Sequence, residues 1–124
     1  MFSVLVVTAC PTSFVSFAVF LDGKGAVRLS WATNSGQALE QAALEPPDLV
    51  VVDDQSKGLA APELLRRLAS LDPRINTAVS SPLAPGVFRR VYQGLGTMGQ
   101  LPLRPGRGEA RDLLERLPRL AASA

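Results

Sequence analysis

Pro47-Asp48-Leu49-Val50-Val51-Val52-Asp53 is the stretch that decides the fold, an uninterrupted apolar run between two aspartates. A strand with one face in water alternates polar and apolar residues, whereas a strand covered by helices on both faces is apolar throughout. The run therefore reads as a central strand of a parallel sheet. Val4-Leu5-Val6-Val7 has the same character and supplies a second central strand. Val27, Leu29 and Trp31 alternate instead with Arg28 and Ser30, the period of a strand with one exposed face, which belongs at an edge. Thr77-Ala78-Val79 is another short strand. Gln100 to Leu103 is a fifth, whose Pro102 cannot donate a ladder hydrogen bond and so marks the opposite edge.

Helical segments with readable ends lie between these strands. Phe14 to Leu21 closes at Asp22-Gly23-Lys24-Gly25. Asn34, with Gln37 three residues on, suits an N-cap for a helix that carries Leu39, Ala43 and Leu44 inward and stops at Pro46-Pro47. Pro62 fits a first turn, followed by a stripe of Leu64, Leu65, Leu68 and Leu71 that Asp72-Pro73 ends. Phe88, Val91, Tyr92 and Leu95 mark a fourth helix, and Leu113, Leu114, Leu117 and Leu120 a fifth, with 121–124 expected to fray.

Strand then helix, repeated along residues 1–120 without an internal linker, makes one α/β domain. Right-handed crossovers and the two edge assignments give a parallel sheet ordered 2-1-3-4-5 in a flavodoxin-like (βα)5 three-layer sandwich. Any site belongs in the loops at the carboxyl ends of the strands.

Composition excludes several chemistries. The chain has no His, so it offers neither a Ser-His-Asp triad, nor a histidine metal ligand, nor a histidine phosphodonor. One Cys cannot close an internal disulfide, and a cytoplasmic setting is expected. A net charge of +2 without a long basic run does not imply nucleic acid or membrane. Val7-Thr8-Ala9-Cys10 looks like a lipid-attachment box, but no basic segment precedes it and the apolar stretch is too short for an export signal. Cys10 is instead expected as a semi-buried residue at a strand end. Gly23-Lys24-Gly25 precedes a strand rather than a helix and is not a phosphate loop.

Over essentially its whole length the chain resembles the receiver domain of bacterial two-component response regulators, in the chemotaxis-regulator-like form. The resemblance is carried by 47–53, by Ser80 after the fourth strand and by Arg104-Pro105 after the fifth. It implies that Asp53 stands at the phosphoacceptor position, with Thr8, Ala9, Asp54, Ser80 and Arg104 around it. Receivers that accept a phosphoryl group carry an acidic pair after the first strand, where Thr8 and Ala9 stand here. The Mg²⁺ ligands that the resemblance implies are therefore absent from the sequence, and no metal or cofactor is expected. Asp54 does not substitute, because adjacent strand residues point to opposite faces. Arg104 replaces the family's lysine and is expected to fork onto Asp53 in a standing ion pair. Leu101 occupies the position of the family's switch aromatic.

Each residue also has a purely structural role open to it. Asp53 can cap the following loop, Ser80-Ser81-Pro82 can be a turn, and Arg104 can be a solvated edge charge.

Two functions follow. The first is an atypical receiver that acts by protein–protein interaction without phosphorylation; the second is a working phosphoacceptor in a phosphorelay, with Asp53 as acceptor. Small-molecule binding in the same crevice has no convergent polar set behind it, and no nucleophile and base pair suggests an independent enzyme. Output is expected through a protein partner. The expected interface joins the fourth helix, fifth strand and fifth helix, with Tyr92, Leu101 and Leu103 ringed by Arg89, Arg90, Arg111 and Arg116, and a two-fold homodimer through it. Phe14, Phe17 and Phe20 form a competing stripe on the first helix.

Overall fold

The apolar runs become the inner strands. A computed structural model describes the backbone of residues 2–123 and side chains as far as Leu117. The strands are β1 (Phe2–Val7), β2 (Val27–Ala32), β3 (Leu49–Asp53), β4 (Asn76–Ser80) and β5 (Gln100–Leu101). They form one parallel sheet ordered β2-β1-β3-β4-β5. The helices are α1 (Val15–Asp22), preceded by a 3-10 turn over Pro11–Phe14, then α2 (Ser35–Leu44), α3 (Ala61–Leu71), α4 (Pro85–Val91) and α5 (Arg107–Ser123). Among the described residues, no helix is long and apolar enough to cross a membrane.

Strand alternation sends successive residues to two separate cores. Leu5, Val7, Val50, Val52 and Val79 meet Ala38 and Ala42 of α2, Leu64, Leu65 and Leu68 of α3, and the stacked Phe88–Tyr92 pair. Val4, Val6, Leu49, Val51, Ala78 and Leu101 meet Phe14, Phe17 and Leu21 on one side and Ala110, Leu113 and Leu117 of α5 on the other. A fully buried Val, Leu or Phe is worth roughly 1.5–3 kcal/mol, so the two layers hold the sheet firmly at its centre.

Helix ends follow the sequence where a polar cap is present. Asn34 Oδ1 accepts from the Gln37 amide at 2.9 Å, and the Gln37 side chain accepts from the Thr33 amide, which fixes the start of α2. The buried stripe of α2 is nevertheless Ser35, Ala38 and Ala42, with Leu39 partly buried; Ala43 and Leu44 face solvent, Leu44 being 88% exposed. Small residues let α2 approach the sheet closely, and the leucine is left outside. Leu71 and Val91 are likewise outside their stripes.

Three further expectations change. β5 ends at Leu101 rather than Leu103; the Ser81 carbonyl, the next acceptor along this edge of β4, is taken by the Gln100 side chain at 3.0 Å. Phe14 and Phe17 are core residues in an edge-to-face pair, not a surface stripe. Cys10 is exposed and lies before the 3-10 turn, not at a buried strand end. α5 runs over Arg107–Ser123, and residue 124 lies outside the described residues.

Candidate functional site

Strand register assembles the site. Val7 pairs with Val52 and Asp53 pairs with Ser80, so Thr8, Asp53 and Ser80 fall in one row across β1, β3 and β4, at their carboxyl ends. All three have the parity of Val6, Val51 and Ala78 and are buried on the α1–α5 side of the sheet.

Asp53 is held by neighbours on both carboxylate oxygens. The Thr8 hydroxyl donates to Oδ2 at 2.8 Å, and the Gln55 amide donates to Oδ1 at 2.9 Å. Thr8 Oγ1 accepts in turn from the Cys10 amide at 2.9 Å. This chain of donors threads from the β1–α1 loop through Thr8 to Asp53 and into the β3–α3 loop. Charge-assisted hydrogen bonds of this kind are the stronger sort, so they order both loops around one carboxylate. Asp53 therefore does cap its following loop, through the i+2 amide, and engages β1 with its other oxygen.

The remaining expected residues are placed differently. Ser80 is fully buried, but its hydroxyl donates to the Pro102 carbonyl at 2.8 Å, tying β4 to the chain after β5. Asp54 donates its backbone amide to the Ser80 carbonyl and accepts from the Gln55 side chain. Its charge acts on Tyr92, on the other face of the sheet. Burial, and then the Asp54 carboxylate, push the Tyr92 phenol up to about 12. Ala9 is exposed and has no side-chain donor to offer. Arg104 is exposed and makes no ion pair with Asp53, so the expected standing pair is not formed. A two-residue β5 lets the chain leave the sheet before Arg104 is reached.

Asp53 is the only carboxylate on its face of this row, so the donor set does not fit Mg²⁺. That ion takes near-octahedral oxygen coordination and usually more than one anionic ligand. Thr8 and Ala9 bring no carboxylate to it, Asp54 points to the opposite face, and among the described residues no three His, Cys, Asp or Glu side chains converge. No step can be routed through a metal here.

A second cluster anchors the β3–α3 loop. Ser35, nearly buried at the start of α2, accepts from the Leu59 amide at 2.7 Å, while its own amide donates to the Lys57 carbonyl. Gly58 passes this hydroxyl with φ +100, and a Cβ there would lie 2.1 Å from Ser35 Oγ. Sequence reading missed Ser35, Gly58 and Gln55. The Asp-x-Gln spacing could have flagged the Gln55 amide, whereas Ser35 and Gly58 are 23 positions apart and carry no local signal.

The expected interface residues divide. Tyr92 and Leu101 are buried, each 5% exposed, and belong to the core. Leu103 is 44% exposed, and Val87 and Val91 of α4 join it at the surface. Arg89, Arg90 and Arg111 are exposed, and Arg116 donates to the Met98 carbonyl. Among the described residues the ion pairs are Arg28–Glu45, Arg66 and Arg67 with Glu63, and Arg74–Asp72, so Arg89, Arg90, Arg104, Arg107 and Arg111 carry none.

No family model and no curated protein matches the sequence. Solved structures do match in shape. A response regulator receiver domain protein (CheY-like) from Methanospirillum hungatei superposes with TM-score 0.86 at 17% identity, over 100% of this chain and 99% of that one. The response regulator domain of Thermotoga maritima CheB gives 0.79 at 20%, over 96% and 95%. A two-component response regulator from Legionella pneumophila gives 0.79 at 19%, over 96% and 99%. At these identities the likeness establishes the fold.

Proposed function

We propose that the chain is an atypical receiver domain of bacterial signal transduction that works through protein–protein contacts and not through phosphoryl transfer. The observation that supports this is the Thr8–Asp53 hydrogen bond. Where a phosphorylatable receiver sets a carboxylate to bring a cation to the acceptor, this chain sets a hydroxyl that occupies the acceptor's own oxygen. Asp53 then serves as a structural staple between β1 and β3. Without a cation to offset the charge of the incoming phosphoryl oxygens, transfer to it is not supported.

Incubation with a small-molecule phosphodonor and Mg²⁺, read by intact mass, tests the reading. The mass is expected to stay unchanged. A phosphoryl gain that Asp53→Asn abolishes would overturn the proposal in favour of a phosphorelay acceptor.

The docking surface that fits is the face of α4, β5 and α5. Residues 85–117 hold six Arg against three acidic residues, and Val87, Val91 and Leu103 add exposed apolar area. Two copies apposed through this face would set unpaired arginines against each other. An acidic partner protein therefore suits it better than the two-fold homodimer expected from sequence. Neither nucleic acid nor membrane is invoked.

A further inference from the structure

The two edges of the sheet are treated very differently. β5 is two residues long and is followed by Pro102, both devices that blunt an edge. β2 is six residues long, contains no proline and pairs only with β1. Phe2 donates to the Ala26 carbonyl and Thr8 to the Ala32 carbonyl, so the even-numbered residues of β2 bond inward to β1. Parallel pairing then turns the backbone groups of Val27, Leu29 and Trp31 outward.

Exposed apolar side chains gather on both sides of this edge. On the α1 side, Val15 and Val19 are 52% and 67% exposed, and a groove of about 230 Å³ is lined by Ala18, Val19, Asp22, Leu29 and Trp31. On the α2 side, Leu44 stands 88% exposed beside Arg28, Ser30 and Gln41.

We infer that β2 pairs antiparallel with β2 of a second copy of this chain, across a two-fold axis at Leu29, joining two sheets into one. Self-complementarity of the strand identifies the occupant. Centred on Leu29, the register sets Leu29 against Leu29, Val27 against Trp31 and Arg28 against Ser30. All three outward-facing residues gain partners, and a β-branched–aromatic pair forms on each side of the axis. Arg28, already ion-paired with Glu45, meets a hydroxyl rather than a charge. A register centred on Arg28 would oppose two arginines, and one centred on Ser30 would leave Val27 unpaired. The pairing also brings each copy's α1 groove and Leu44 beside the other copy. Two local bonds compete at the strand ends, Val27 amide to Lys24 carbonyl and Gln41 side chain to Trp31 carbonyl. The Leu29 pair at the centre has no such competitor. The inference does not depend on what Asp53 does.

Sedimentation equilibrium over a dilution series tests the assembly, and site-specific crosslinking tests its register. The wild-type chain is expected to approach twice the monomer mass at high concentration, and Leu29→Lys to remain a monomer with an unchanged circular dichroism spectrum. In a Cys10→Ser background, Leu29→Cys is expected to oxidise to a disulfide-linked dimer, since directly opposed Cα atoms lie about 5.5 Å apart. Ser30→Cys is expected not to, its two copies being offset to about 8 Å, beyond disulfide reach. A wild-type monomer at every concentration would overturn the inference. So would crosslinking at Ser30→Cys in preference to Leu29→Cys, or a Leu29→Lys chain that still dimerises.

Discussion

The Thr8 hydroxyl donates a 2.8 Å hydrogen bond to Asp53 Oδ2, across two strands whose residues are 45 positions apart in sequence. Since Thr8 is 1% exposed and Asp53 8%, the bond lies out of competition with water. Its consequences for stability and for chemistry can be separated by experiment.

Thr8→Val keeps the shape and removes the hydroxyl, leaving Asp53 Oδ2 and the Cys10 amide without their partner. Urea unfolding should show a loss of about 1–3 kcal/mol. Stability within error of the wild type would mean that the bond contributes nothing net.

Thr8→Asp with Ala9→Asp introduces an acidic pair beside Asp53. This double variant is expected to gain phosphoryl mass from a small phosphodonor in the presence of Mg²⁺, and to lose that gain with EDTA or with Asp53→Asn. Its failure to react while remaining folded would show that more than the acidic pair separates this pocket from a phosphorylatable one.

Tyr92 is the only tyrosine, so phenolate absorbance reports it alone. Its midpoint should lie near 12 in the folded chain and near the ordinary value of about 10 in urea. A phenol whose folded value is raised stabilises the fold fully below the unfolded value and loses that contribution as pH rises through the folded one. Stability should therefore fall between about pH 10 and 12. Asp54→Asn should lower the folded midpoint by removing the smaller of the two causes.

Gly58→Ala should destabilise the chain, by roughly 1–2 kcal/mol from its φ alone and further from the close approach to Ser35 Oγ. Combining it with Ser35→Ala removes the clashing hydroxyl, so the double variant should lose less than the sum of the two single losses, as calorimetry can measure.

Arg90→Glu with Arg111→Glu changes two exposed, unpaired side chains and should leave stability within about 0.5 kcal/mol. Affinity for a fluorescent polyglutamate peptide, read by anisotropy at low salt, should fall about tenfold or more. Unchanged affinity would move acidic-partner docking away from this face.

The sequence by itself determined the layering and the strand order. Uninterrupted apolar runs can exist only where both faces are covered, alternation marks one edge and Pro102 the other, and Asn34 announces a helix start through a local cap. It also determined what the carboxyl-end row lacks, because the residue types at 8 and 9 are read directly. Tertiary structure decided the rest. Periodicity defines the stripes of α2 but not which one turns inward, and close approach to the sheet chose Ala38 and Ala42 over Ala43 and Leu44. The length of β5 was settled by where its ladder to β4 stopped, which buried Leu101 and left Arg104 in solvent, away from Asp53. Nothing beside Ser80 in the sequence names an acceptor for its hydroxyl. Only the folded chain brought it the Pro102 carbonyl, 22 residues away, because a hydrogen-bond partner is selected by distance in space and leaves no mark on local sequence.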